Sequence, residues 1–197
     1  MFELVRTRGW VFVVVGLLGV SVLLVACQDK EGPTPELASE GVEVVRFGLR
    51  SPAFGEGEPI PQEHTCDGPD LSPAFAWDDP PAGTQSLALI VDDPDAPGKT
   101  WVHWVLYDLP PDFRELPGGV SPDESLSSGG AQGKNGFGKI GYGGPCPPKG
   151  KPHRYYFRLY ALDTRLDLAP GATKGALLEA MEGHLVGEAE LMGRYGR

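Results

Sequence analysis

The residues best suited to chemistry begin at Asp92-Asp93-Pro94-Asp95-Ala96-Pro97, with His103 following in Trp101-Val102-His103-Trp104. A carboxylate beside an imidazole can move a proton, orient the ring toward an anion or, with a third donor, hold a metal ion. A second imidazole, His153, stands with Arg154 and Tyr155 at the end of the Gly- and Pro-rich run that starts at Gly141. There is no Gly-x-Ser-x-Gly elbow and no His-Glu-x-x-His helix, and neither Cys66 nor Cys146 lies in a nucleophile motif. A hydrolytic reading therefore rests on Asp93, His103 and His153 as a three-ligand metal set, or on one His as a base. The bland reading has Asp93 capping a turn, His103 as a satisfied core histidine, and Arg154 pairing with a nearby acid to hold its loop. His64 and His184 are read as structural.

These groups need elements to hold them. Leu87-Ala88-Leu89-Ile90-Val91 is short and wholly apolar, as a buried strand is, and it delivers Asp93 to a turn that Pro94 and Pro97 stiffen. Trp101 to Tyr107, rich in aromatic and β-branched residues, reads as the next strand. Strict alternation puts Trp101, His103, Val105 and Tyr107 on one face, and Val102, Trp104, Leu106 and Asp108 on the other. Asp93 is then expected to accept from His103, setting its tautomer and favouring the charged ring. Tyr155 to Tyr160 is a third strong strand, Phe75 to Trp77 a short one and Val42 to Phe47 an opening one. Pro110-Pro111 ends the His103 strand, and residues 112–140, dominated by Gly, Ser and Pro, read as an irregular surface excursion. Thr173 to Glu182 carries Ala176, Leu177, Ala180 and Met181 at helical spacing, with Thr173 as N-cap and Gly183 as the stop. From His184 to Leu191 the periodicity allows either a last strand or a continued helix.

Taken together, five pieces resemble the phosphatidylethanolamine-binding protein family, in particular its bacterial Raf kinase inhibitor-like branch. They are Asp93-Pro94-Asp95-Ala96-Pro97, Trp101-x-His103, Gly143-Gly144-Pro145 with Pro147-Pro148, His153-Arg154-Tyr155, and Cys66-Asp67-Gly68 followed by Ser72-Pro73. The resemblance runs from about Val42 to Gly193, and Asn135-Gly136-Phe137-Gly138 looks like a further feature of the bacterial branch. It implies a mainly β fold, a large antiparallel sheet packed on a smaller one with one or two peripheral helices, and a pocket for small anions such as phosphate or a phospholipid headgroup. Its lining, carried onto this chain, would be Asp93, His103, Gly144, His153 and Tyr155, with Pro145 nearby. Glycine amides, imidazole N–H groups and a tyrosine hydroxyl are suitable donors to such an anion. A binding protein without cofactor, metal or catalytic residue is expected. Relatives are described as inhibitors of proteases and kinases, so a protease of the envelope is the second partner class, with residues 112–140 as the contact surface.

The N-terminal residues read separately. Arg6 and Arg8 precede an uncharged run from Trp10 to Ala26, which closes on Leu24-Val25-Ala26-Cys27. That is the layout of a secretory signal, and the last four residues resemble a bacterial lipobox in which Cys27 becomes the acylated first residue. Residues 1–26 are thus expected to be a lipoprotein signal peptide and 27–41 a polar tether, with 42–197 as the domain, held by lipid on the outer side of a cell or outer membrane. A retained transmembrane anchor is the alternative. Without Glu3, Arg6 and Arg8 the 17 basic and 27 acidic residues become 15 and 26, a net charge of −11. Such a surface repels nucleic acid, so any anion site must be local. With Cys27 assigned to lipid, Cys66 and Cys146 form an even pair in an oxidising compartment and are expected to be disulfide-bonded.

Overall fold

The computed structural model describes residues 44–197. The expected leader, the acylated Cys27, the tether and the first part of the Val42 strand lie outside the described residues. Within them the chain forms β1 (Val45–Arg46), β2 (Leu49–Arg50), β3 (Phe75–Trp77), β4 (Ser86–Asp93) and β5 (Trp101–Leu109). Then come β6 (Glu115–Leu116), β7 (Ala131–Gln132), β8 (His153–Leu162), α1 (Lys174–Met181) and β9 (Leu185–Tyr195).

A six-stranded sheet in the order β1-β9-β8-β4-β5-β7 packs on a three-stranded sheet in the order β2-β3-β6. All eight residues of β4 are buried, as expected of a central strand covered on both faces. Leu87, Leu89 and Val91 of β4 face Phe75, Trp77 and Leu116 of the small sheet, with Trp104 and Phe157 filling the same core. Ala88 and Ile90 face the other way, and Leu177 and Met181 of α1 close over them. The helix begins where Thr173 accepts from the Ala176 amide and ends before Gly183, whose φ of +81° suits a residue without Cβ.

Two sequence expectations change. The large sheet is mixed rather than antiparallel, because β1 runs parallel to β9, with Val45 opposite Gly187 and Arg46 opposite Glu188. A parallel pair needs a long connection between its strands, and here nearly the whole domain supplies it. The strict alternation of β5 also fails: Val91 pairs with Trp104 but Asp92 pairs with Val102, so His103 is the extra residue of a bulge. Val102 packs with Val105 and Tyr107, while His103 turns to the Tyr155 side, where Trp104 also lies. The bulge therefore places His103 on the face that carries Asp93, Tyr155 and His153.

The region after α1 is strand. Gly187, Ala189, Leu191 and Gly193 are its buried positions. A Cβ on Gly193 would meet Ile60 at 2.6 Å and Phe54 at 2.8 Å, so the missing side chain lets the 54–60 segment lie against the sheet.

Candidate functional site

The carboxyl end of β4 and the starts of β5 and β8 lie side by side, since β4 pairs with both. Their side chains on the small-sheet face meet the loops 94–97 and 137–148 around a cavity of about 240 Å³. Asp93, His103, His153 and Tyr155 supply its polar groups, and Ala96, Pro97, Trp101, Phe137, Pro147 and Pro148 most of its apolar wall.

The two imidazoles are fixed in the same manner. Nδ1 of His153 donates to Oδ2 of Asp93 at 2.7 Å, and Nδ1 of His103 donates to the Gly143 carbonyl at 2.5 Å. A carbonyl can only accept, so the His103 proton is on Nδ1 and the neutral ring presents the lone pair of Nε2. Neither Nε2 has a hydrogen-bond partner among the described residues. Burial pushes the pKa of His103 below its ordinary value, against the raising effects of the Gly143 carbonyl and Asp93. Asp93 thus partners His153, not His103, and His103 is disfavoured as a cation rather than favoured. The expected pair is not made, although both groups share one face, because the Asp93 oxygens are taken by His153 and the Asp95 amide while Nδ1 of His103 is taken by the Gly143 carbonyl.

Asp93 is held in turn. Its Oδ1 accepts from the Asp95 amide at 2.8 Å, which folds the Asp-Pro-Asp turn back on the carboxylate. Tyr155 is fully buried, its hydroxyl lacks a well-formed hydrogen bond, and burial followed by the nearby Asp93 charge pushes its phenol far above the ordinary range. The indole Nε1 of Trp101 is a second buried donor without a partner. Buried polar atoms normally find partners, and these two donors are free among the described residues to bond to a ligand group or water.

Gly144 and Pro145 lie behind this wall and do not line the cavity. The Gly144 amide donates to Oδ1 of Asp70 at 2.7 Å, so it is not directed at an anion. Its lack of a side chain serves the loop behind instead: a Cβ there would meet the His64 carbonyl at 2.3 Å. The Pro145 carbonyl accepts from Cys66, the Tyr142 hydroxyl donates to the His64 carbonyl, and the Cys66–Cys146 disulfide joins the same two loops. His64 donates to the Leu71 carbonyl and His184 pairs with Asp163, away from the cavity. Asp93, His103 and His153 do not make a three-ligand set; among the described residues no group of three His, Cys, Asp or Glu is placed to hold a metal ion. Phe137 and Trp101 were not among the lining residues that the sequence brought forward. The available signal for Phe137 was an aromatic residue between two glycines in an otherwise polar loop.

Arg154 pairs with an acid, as its bland reading has it. Its Nη2 and Nε bind the two oxygens of Asp95 at 2.7 and 2.9 Å, and its amide donates to the same carboxylate. The guanidinium lowers the Asp95 pKa to about 2. Because the folded value lies below the ordinary 3.8, the stability this pair adds is present above about pH 4 and is lost as pH falls through about 2. The pair is partly exposed, so the effect is small. Thermal melts should show Asp95→Asn less stable than the parent protein at pH 5, with most of that gap gone by pH 2; a gap as wide at pH 2 as at pH 5 contradicts this assignment.

The model of the family described as phosphatidylethanolamine-binding protein matches residues 50–196. The chain belongs to this family. A UPF0098 protein of Methanothermobacter thermautotrophicus is 54% identical over 151 residues, which cover 77% of this chain and 99% of the relative. The solved structure of CT736 from Chlamydia trachomatis, described as a homologue of the phosphatidylethanolamine-binding protein, is 43% identical with a TM-score of 0.71. E. coli YbcL, described as a new member of the mammalian family, is 34% identical with a TM-score of 0.72. Each alignment covers 77% of this chain and 98% of the solved one. The mainly β architecture of two packed sheets and a peripheral helix is thus that of phosphatidylethanolamine-binding proteins.

Proposed function

We propose that this phosphatidylethanolamine-binding protein family member takes a small anion, a phosphate ester or a phospholipid headgroup, in the cavity at the end of β4, β5 and β8. It acts as a binding protein rather than an enzyme, and it is tethered outside the cytoplasmic membrane by acyl chains on Cys27. The observation that carries the reading is the presentation of two imidazole Nε2 atoms, each ring locked through Nδ1, to one cavity with an apolar wall. His153, held through Nδ1 by the Asp93 carboxylate, keeps its Nε2 turned to the ligand. The neutral His103 accepts a proton from a singly protonated phosphate or takes one up as the ligand arrives. The Tyr155 hydroxyl and the Trp101 indole supply two further donors. Bulk charge opposes the anion, so affinity comes from these directed contacts rather than from the field of the molecule.

Phosphate esters lose their second proton near pH 6, and with it the donor that a neutral His103 accepts from, so the contact weakens as pH rises. Calorimetry with phosphoethanolamine should therefore give roughly tenfold tighter binding at pH 6 than at pH 8, and no measurable binding to His153→Ala. Equal affinities at the two pH values, or unchanged binding by the variant, contradict the reading. The tether is tested separately: Cys27→Ser should move the protein from the membrane fraction to the soluble fraction. A variant that stays in the membrane after high-salt washing removes the acyl anchor from the account.

A further inference from the structure

Phe137 is a large hydrophobic side chain left 44% exposed at the cavity mouth. Its ring meets Trp101 edge-on at 5.3 Å and His103 at 5.8 Å between centroids. The turn that carries it is built rather than loose. The Asn135 carboxamide accepts from the amides of Phe137 and Lys139 at 3.0 and 3.1 Å and donates to the Gly141 carbonyl at 3.0 Å. The Gly136 amide donates to the Val102 carbonyl at 2.7 Å, anchoring the turn to β5. One glycine makes room for each aromatic ring: a Cβ on Gly136 would meet the Trp101 indole at 2.7 Å, and one on Gly143 would meet Phe137 at 2.8 Å. Holding an aromatic ring half in water forgoes much of its burial free energy, and of the four large apolar side chains so exposed among the described residues this one lines the cavity of His103 and His153. The cavity beneath it, about 240 Å³, equals the liquid volume of about eight waters, room for one phosphate and one flat or short apolar substituent.

We infer that Phe137 is the specificity-determining residue of this site, and that the ligand is a phosphate monoester whose small, flat apolar substituent lies between Phe137 and the Ala96-Pro97 and Pro147-Pro148 walls while its phosphate faces the imidazoles. This rests on the anion-binding reading above. The substituent covers the exposed ring face and completes its burial, so it adds affinity that inorganic phosphate cannot gain. The test uses phenyl phosphate and inorganic phosphate as probes, titrated by calorimetry into the full chain and into Phe137→Ala and Phe137→Tyr. Phenyl phosphate should bind the parent protein at least tenfold more tightly than inorganic phosphate does. That ratio should fall to about twofold in Phe137→Ala and stay near the parent value in Phe137→Tyr, which keeps the ring. A ratio unchanged by Phe137→Ala overturns the inference while leaving anion binding intact. Failure of both probes to bind the parent protein overturns the inference together with the reading on which it rests.

Discussion

Removing the Cys66–Cys146 bond should lower the melting temperature of the domain by about 10 °C. The two cysteines are 80 residues apart in sequence and their Cα atoms are 5.4 Å apart in the fold. Closing a loop of that length removes chain entropy from the unfolded state worth about 4 kcal/mol, and one kcal/mol moves the midpoint of a domain this size by about 2–4 °C. The bond also fastens the Gly141–Pro148 wall to the segment around His64, with help from the Cys66 and Gly144 amides. Cys66→Ser with Cys146→Ser should therefore weaken phosphoethanolamine binding several-fold as well as lower the midpoint. Scanning calorimetry of the variant and of dithiol-treated protein checks the first effect. A midpoint within about 2 °C of the parent value would show that the hydrogen bonds alone hold the wall.

The other large effect is expected at Asp93, whose carboxylate serves two donors. Asp93→Ala leaves Nδ1 of His153 and the amide of Asp95 without an acceptor, in a place where Asp93 itself is only 3% exposed. Each unsatisfied buried donor costs about 1–3 kcal/mol, so a loss of about 3 kcal/mol in unfolding free energy is expected. Asp93→Asn keeps an oxygen for the Asp95 amide and should recover part of that loss. For binding, two effects compete. Removing a negative charge beside the site favours an anion, while removing the partner of His153 frees the ring to turn away from it. The second is a contact at 2.7 Å that sets the orientation and tautomer of the ring, so it outweighs a more distant repulsion. Asp93→Asn should lose about tenfold in affinity for phosphoethanolamine, read by calorimetry alongside urea denaturation. Tighter binding by the variant would mean that the carboxylate is there to repel rather than to orient.

Much of the scaffold is legible in the sequence because its central strands are chemically plain. Leu87 to Val91 is uniformly apolar since both of its faces are covered, and Tyr155, Phe157 and Leu159 alternate with half-exposed neighbours because one face of β8 is not. The helix is equally plain, with Thr173 at its start and Gly183 at its stop. The last strand is not, because two of its buried positions, Gly187 and Gly193, carry no side chain and the apolar alternation is blank there. Four residues brought forward by the motifs, Asp93, His103, His153 and Tyr155, line one cavity. Their pairing is not legible. A bulge shifts the register by one residue without leaving a mark in composition; it brought His103 to the face of Asp93, where the Gly143 carbonyl rather than that carboxylate takes its Nδ1 proton. Gly144 shows a related limit: a glycine announces close approach, but not whether a ligand or another loop approaches.

The convergence of two imidazoles on one anion is tested most directly by NMR of histidine-labelled protein during titration with phosphoethanolamine at pH 6. The ring resonances of His103 and His153, assigned by single replacement, should move together and give one dissociation constant, while those of His64 and His184 stay in place. Movement confined to His64 or His184, or separate dissociation constants for His103 and His153, would contradict a shared site.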